Sequence, residues 1–157
     1  MELKMQRLFE TKGKLLGIDF GDKRTGLAVS DVTRFLASGI GYISVGGMQK
    51  TAARVCEIIK EENITGGIVI GLPVNMNGSE GPRAEHAKKF ASILGEHMSA
   101  GGIELPIVMM DERMTTMAAA RYLNETDTRG QKRKSVIDTL SAQIILQNAL
   151  DRLKNMA

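Results

Sequence analysis

Leu15-Leu16-Gly17-Ile18-Asp19-Phe20-Gly21-Asp22-Lys23-Arg24-Thr25-Gly26-Leu27-Ala28-Val29 is the stretch that decides how this chain folds. Leu15 to Ile18 is a short apolar run, too short and too β-rich for a helix, and reads as a buried strand. Asp19 stands where that strand leaves the core, a place where a carboxylate is costly unless it is paired, hydrogen-bonded or bound to a metal. Gly21 and Gly26 bracket a tight turn, and Leu27-Ala28-Val29 begins the returning strand. A hairpin of this kind can present a metal ligand or bind phosphate. The plainer alternative is an aspartate that caps its own turn.

Outward from this hairpin the chain alternates. Strands are expected over residues 14–20, 25–30 and 38–45, and a helix over 48–62 with Ala52, Val55, Cys56 and Ile59 on one stripe. A strand at 66–71, a loop rich in Asn, Gly and Pro at 73–82, a helix at 82–98 and a strand at 105–110 follow. A short helix at 116–123, a polar basic stretch at 124–134 and a last helix at 135–153 complete the pattern. The order begins as an antiparallel meander and then adds helix-linked strands, whose crossovers imply parallel pairing. The expectation is one α/β domain over residues 1–157 with a mixed five-stranded sheet.

Composition narrows the function classes. Aromatic residues make up 4% of the chain and tryptophan is absent, which weakens any binding mode built on rows of aromatics stacked against bases. The net charge of +3 is compatible with a polyanionic partner without demanding one. A single cysteine, Cys56, excludes an intrachain disulfide and fits a reducing compartment. No segment approaches the roughly 20 apolar residues of a membrane span. The first ten residues, with Glu2 and Glu10, lack the apolar centre of a signal peptide. A cytoplasmic location and no membrane partner are expected.

Other acids stand where they could meet Asp19. The fifth strand ends in Asp111-Glu112-Arg113, and open α/β sheets place their sites at the carboxyl edge of the strands. Side chains alternate along a strand, so only one of Asp111 and Glu112 should face a given site. Asp138 is expected in the first turn of the last helix, where Ser135-x-x-Asp138 resembles a capping box. The small residues Ser141 and Ala142, three and four positions on, would let that helix approach the sheet closely. Mg²⁺ or Mn²⁺ held by few carboxylates suits phosphodiester chemistry, and two such ions activate water and stabilise a leaving oxygen. Asp19, Glu112 and Asp138 could build that metal site. His86 and His97 lie eleven residues apart on one expected helix, about 16 Å, too far to share a zinc ion.

These segments together resemble the YqgF (RuvX) family, described as pre-16S rRNA nucleases and as Holliday junction resolvase-like proteins. The match rests on Leu16 to Asp31, Ile70 to Glu80, Asp111 to Thr116 and Lys134 to Ala142, in the family's order and across nearly the whole chain. The resemblance implies a ribonuclease H-like fold with helices on both faces of the sheet. It implies that Asp19, an acid of the Asp111-Glu112 pair, with Glu112 favoured, and Asp138 are the catalytic acids. It also implies 5′-end processing of pre-16S rRNA, with four-way DNA junction cleavage as the alternative. The chain departs from RuvC-type resolvases at the end of the fourth strand, where Gly71-Leu72-Pro73 stands in place of an acid.

Lys23 and Arg24, beside Asp19, are the best candidates for phosphate contacts. Arg113 either does likewise or pairs with an acid. Lys132, Arg133 and Lys134 belong either to a solvated loop or to an arm that orders on nucleic acid. Asn75, Asn77, Ser79 and Arg83 either build a turn or touch the nucleic-acid backbone. The expected partner is structured RNA, with branched DNA as the alternative, met by a monomer or a homodimer. Two rival readings remain at this point. One is a phosphate-binding lobe of the actin, Hsp70 and sugar-kinase type, for which one short domain supplies only half the site. The other is a nucleic-acid-binding module without catalysis, against which the acids argue, since carboxylates repel phosphate unless a metal intervenes.

Overall fold

The computed structural model describes residues 2–111 and 130–156, with the side chains of 5–111 and 139–156. Five strands, β1 (Leu15–Asp19), β2 (Thr25–Ser30), β3 (Ala37–Ile43), β4 (Gly67–Leu72) and β5 (Ile107–Asp111), form one sheet in the order β3-β2-β1-β4-β5. β1 pairs antiparallel with β2 and parallel with β4; β3 joins β2 antiparallel and β5 joins β4 parallel. The expected mixed sheet is therefore the one observed, and its parallel half arises from the two helical crossovers. Four described helices, α1 (Glu2–Phe9), α2 (Met48–Glu61), α3 (Pro82–Ala100) and α4 (Gly130–Asn155), cover it. None of them is long and apolar enough to cross a membrane.

Strand alternation builds two cores. Leu16, Ile18, Ile68 and Ile70 point to the face covered by α2 and α3, where Phe20 stacks on Phe90 at 4.5 Å between ring centroids. Leu15, Val69, Val108 and Met110 point to the face covered by α4, whose Ala142, Ile145, Leu146, Ala149 and Leu150 are all buried. Two glycines seat α4. A Cβ on Gly17 would lie 2.7 Å from Leu146 Cβ and 3.1 Å from the Ala142 carbonyl oxygen, and one on Gly39 would collide with the Thr139 methyl. The close approach expected at Ala142 is thus observed.

Three differences from the sequence reading have physical causes. Residues 2–9 form a helix that the sequence did not signal. Met5 and Leu8 are buried in the α4-side core, and the Arg34 guanidinium donates to the Leu8 carbonyl at 2.7 Å, so tertiary contacts hold this short segment. α4 begins at Gly130, so residues 130–134 are helical and not a loop, in keeping with the good helix propensity of Gln, Lys and Arg. Ser135 consequently lies inside the helix and not at its N-cap, the position expected for it. β3 starts one residue earlier than expected and stops at Ile43, with a bulge at Ile40, since Leu27 pairs with Gly41 and Ala28 with Gly39. The helix expected at 116–123 lies outside the described residues.

Candidate active site

Register places two of the expected acids, Asp19 and Asp111, at the carboxyl edge of the sheet. Ile18 pairs with Ile70, so Asp19 stands level with Gly71, while Asp111 pairs with Leu72 on the far side of β4. Two strand spacings, about 10 Å, separate the β1 and β5 backbones there. β4 contributes no acid to this gap, as the Gly71-Leu72-Pro73 sequence anticipated.

Alternation sorts the acids by face. Asp19 follows Leu15 and Gly17, so it lies on the α4 face, partly exposed. Asp111 follows Ile107 and Met109, which pack against the α2/α3 core, so it falls on the other face. Glu112 and Arg113 lie outside the described residues. On the α4 face, the positions between β1 and the end of β5 are Gly71 and the buried Met110.

α4 runs antiparallel to β1. Gln147 Oε1 accepts the Ala37 amide at 2.9 Å near the amino end of β1, and Ala142 sits over Gly17. One turn toward the helix start from Ala142 is position 138, which the backbone therefore carries toward the Asp19 end of β1. The side chains of Asp138, Lys132, Arg133 and Lys134 lie outside the described ones. Among the described residues no three of His, Cys, Asp and Glu gather to hold a metal.

The hairpin turn after Asp19 is tightly built. A Cβ on Gly21 would strike the Arg24 carbonyl oxygen, and the Lys23 carbonyl accepts the Ser44 hydroxyl at 3.1 Å. Lys23 and Arg24 are thereby held beside Asp19. The turn's Asp22 meets His86 Nδ1 of α3 at 3.3 Å, a contact that sequence reasoning missed because the partners are 64 positions apart. His97 faces Gln49 at 2.6 Å. His86 is exposed on α3, whereas His97 is half-buried where α3 meets α2. Asn75 is used locally: its amide donates to Ser79 Oγ at 3.0 Å and its backbone N–H to the Ser79 carbonyl at 2.9 Å. Asn77 Oδ1 accepts the Ser79 N–H at 3.0 Å, so Asn75, Asn77 and Ser79 build a turn. Cys56 packs partly buried against the core, and burial pushes its thiol pKa up. Glu57 is paired with Arg54 on the exposed side of α2, away from the edge acids.

A meander of three antiparallel strands extended by two parallel ones, with helices on both faces, is the ribonuclease H-like fold of the resolvase type. Thermus thermophilus RuvC, solved in complex with a Holliday junction substrate, superposes with a TM-score of 0.57 at 15% identity, over 92% of this chain and 98% of that one. At that identity the likeness concerns the fold. The sequence is closer to another group: residues 13–152 match the RuvX family, described as Holliday junction resolvase, and the chain belongs to that family. Relatives named "Putative pre-16S rRNA nuclease" include one from Bradyrhizobium sp. strain ORS 278, 46% identical over 92% of this chain and 86% of its own length. Another, from Pelotomaculum thermopropionicum, is 43% identical over 88% of this chain and 86% of its own.

Proposed function

We propose that this chain is a divalent-metal-dependent nuclease that processes the 5′ end of pre-16S rRNA. The observation that carries the reading is one of register: Asp19 and the turn of α4 containing position 138 share one face and one end of the sheet, next to a basic hairpin turn. The family and the name its relatives carry supply the substrate.

The donor set fits a hard cation, since carboxylate oxygens suit Mg²⁺ or Mn²⁺. Asp19, Glu112 and Asp138 would hold it. Glu112 is preferred to Asp111 because alternation assigns Asp111 to the opposite face from Asp19. A bound ion supplies Lewis-acid stabilisation of charge at a scissile phosphate. Gly71 adds no side chain between β1 and β5, which leaves that space to the substrate. Lys23 and Arg24 orient the phosphate backbone over Asp19, and Arg113, Lys132, Arg133 and Lys134 are assigned to further phosphate contacts. The protein acts on nucleic acid as a monomer or homodimer. Cleavage of four-way DNA junctions is the second reading, favoured by the family's description and by the RuvC-like fold.

The test sets end-labelled pre-16S rRNA beside a four-way DNA junction, each with Mg²⁺, Mn²⁺ or EDTA. Metal-dependent cuts in the rRNA that vanish in Asp19→Asn and Asp138→Asn are expected. Cuts in the junction alone would select the second reading. Well-folded protein that cleaves neither and binds both regardless of EDTA would leave a binding module.

A further inference from the structure

The opposite end of the molecule carries a surface that the nuclease reading does not use. The β2–β3 loop leaves the sheet at Ser30, about 17 Å of strand away from the acid-bearing edge. It displays three large apolar side chains: Val32 is 69% exposed, Phe35 61% and Leu36 65%. Display of this kind matters because the loop is rigid. The Asp31 carboxylate accepts the backbone N–H groups of Phe35 at 2.8 Å and Leu36 at 2.9 Å, and also the Thr33 hydroxyl. Arg34 sits in the left-handed region at φ 61°, a conformation costing roughly 1 kcal/mol. It is held there by donating to the Leu8 and Gly13 carbonyls and to Thr11 Oγ1, at 2.7, 2.8 and 2.9 Å.

Beside the loop runs a groove of about 420 Å³ between the end of α1 and the end of α4. Its apolar lining is Phe9, Val32, Leu150 and Leu153, and its charged lining is Lys12, Arg34 and Lys154, with no carboxylate among the described residues. Lys12 makes no ion pair among the described residues. The Arg34 guanidinium is satisfied by neutral oxygens, and burial lowers its pKa. Lys154 lies 3.7 Å above the Phe35 ring and 4.0 Å from Asp151. The groove is therefore apolar, cationic and already in shape, and pre-organisation lowers the cost of binding.

We propose that this groove docks an extended segment of a partner protein rich in acidic and large apolar residues. Carboxylates of such a segment would meet Lys12 at the groove's rim, and its apolar side chains would cover the exposed Phe9 and Val32. A second copy of this chain fits less well, since a two-fold contact here would bring like charges together. Single-stranded RNA fits less well too, because Lys154 already covers one face of Phe35 and the floor is aliphatic.

The test uses the full chain and a fluorescein-labelled dodecapeptide in which Asp and Glu alternate with Leu and Phe. Its controls are the same peptide with Lys for every acid, and a twelve-nucleotide oligouridylate. Anisotropy titration should show saturable binding of the acidic peptide alone. Val32→Glu and Lys12→Glu, both on the surface, should each weaken it roughly tenfold while pre-rRNA cleavage and thermal melting stay unchanged. A photoreactive form of the peptide should crosslink to residues 9–13 and 32–36 of the unaltered protein. Equal binding of both peptides, crosslinks elsewhere, displacement by the oligouridylate, or a dimer that Val32→Glu dissolves would each overturn the proposal.

Discussion

Asp19 owes the role proposed for it to its position. It ends a strand whose other residues are buried, and it lies on the face where α4 approaches most closely. Asp19→Asn keeps the shape and removes the charge. Cleavage should fall by about a hundredfold or more while the melting temperature holds or rises, measured by single-turnover assays and calorimetry. Asp31 is an acid of the opposite kind, spent on structure. The Thr33 hydroxyl and the Leu36 and Phe35 amides hold its carboxyl well below the ordinary value of 3.8. A depressed carboxyl stabilises the fold above its unfolded pKa, and that contribution fades as the pH falls toward the folded one. Melting curves from pH 6 down to 2 should show the gap between the wild type and Asp31→Ala narrowing below about pH 4. Both acids are visible in the sequence, but their division of labour is not, because it depends on which amides and which helix each one meets.

At the scale of elements, the seating of α4 decides the geometry of the edge. Gly39 is a hole that receives the Thr139 methyl, one residue from Asp138. Gly39→Ala should destabilise the protein by about 1–3 kcal/mol through overpacking, and Thr139→Ser should recover most of it by removing the methyl. Urea unfolding of the two single variants and the double variant reads this directly. Most strands and helices were legible within two residues, because periods of 2 and 3.6 are written in neighbouring residues. α1 was not, because Met5 and Leu8 gain their burial from α4 and β5, and its last turn is held by Arg34 from a distant loop. The start of α4 was misread because a run of charge looks like loop, although Gln, Lys and Arg are good helix formers.

Across the whole molecule, charge is divided between two ends. The acid-bearing edge with Lys23 and Arg24 suits a phosphate backbone, and the groove by Lys12 suits carboxylates. Binding of pre-rRNA in EDTA should weaken with salt in a log–log plot, and the Lys23→Ala, Arg24→Ala double variant should flatten the slope by about one to two units. Lys12→Glu should leave that slope nearly unchanged. Equal effects of the two changes would mean that RNA runs over both ends.

The sequence by itself determined the class of the fold, the acid at the end of the first strand, the missing acid at the end of the fourth and the family. Each is written in local pattern or in contiguous motif. Tertiary structure alone decided that Asp19 and Asp111 lie on opposite faces, that α4 rests on Gly17 and Gly39, and that Arg34 ties the β2–β3 loop to α1. The physical reason is that register and helix seating follow from contacts between residues far apart in the chain, and no local period encodes them.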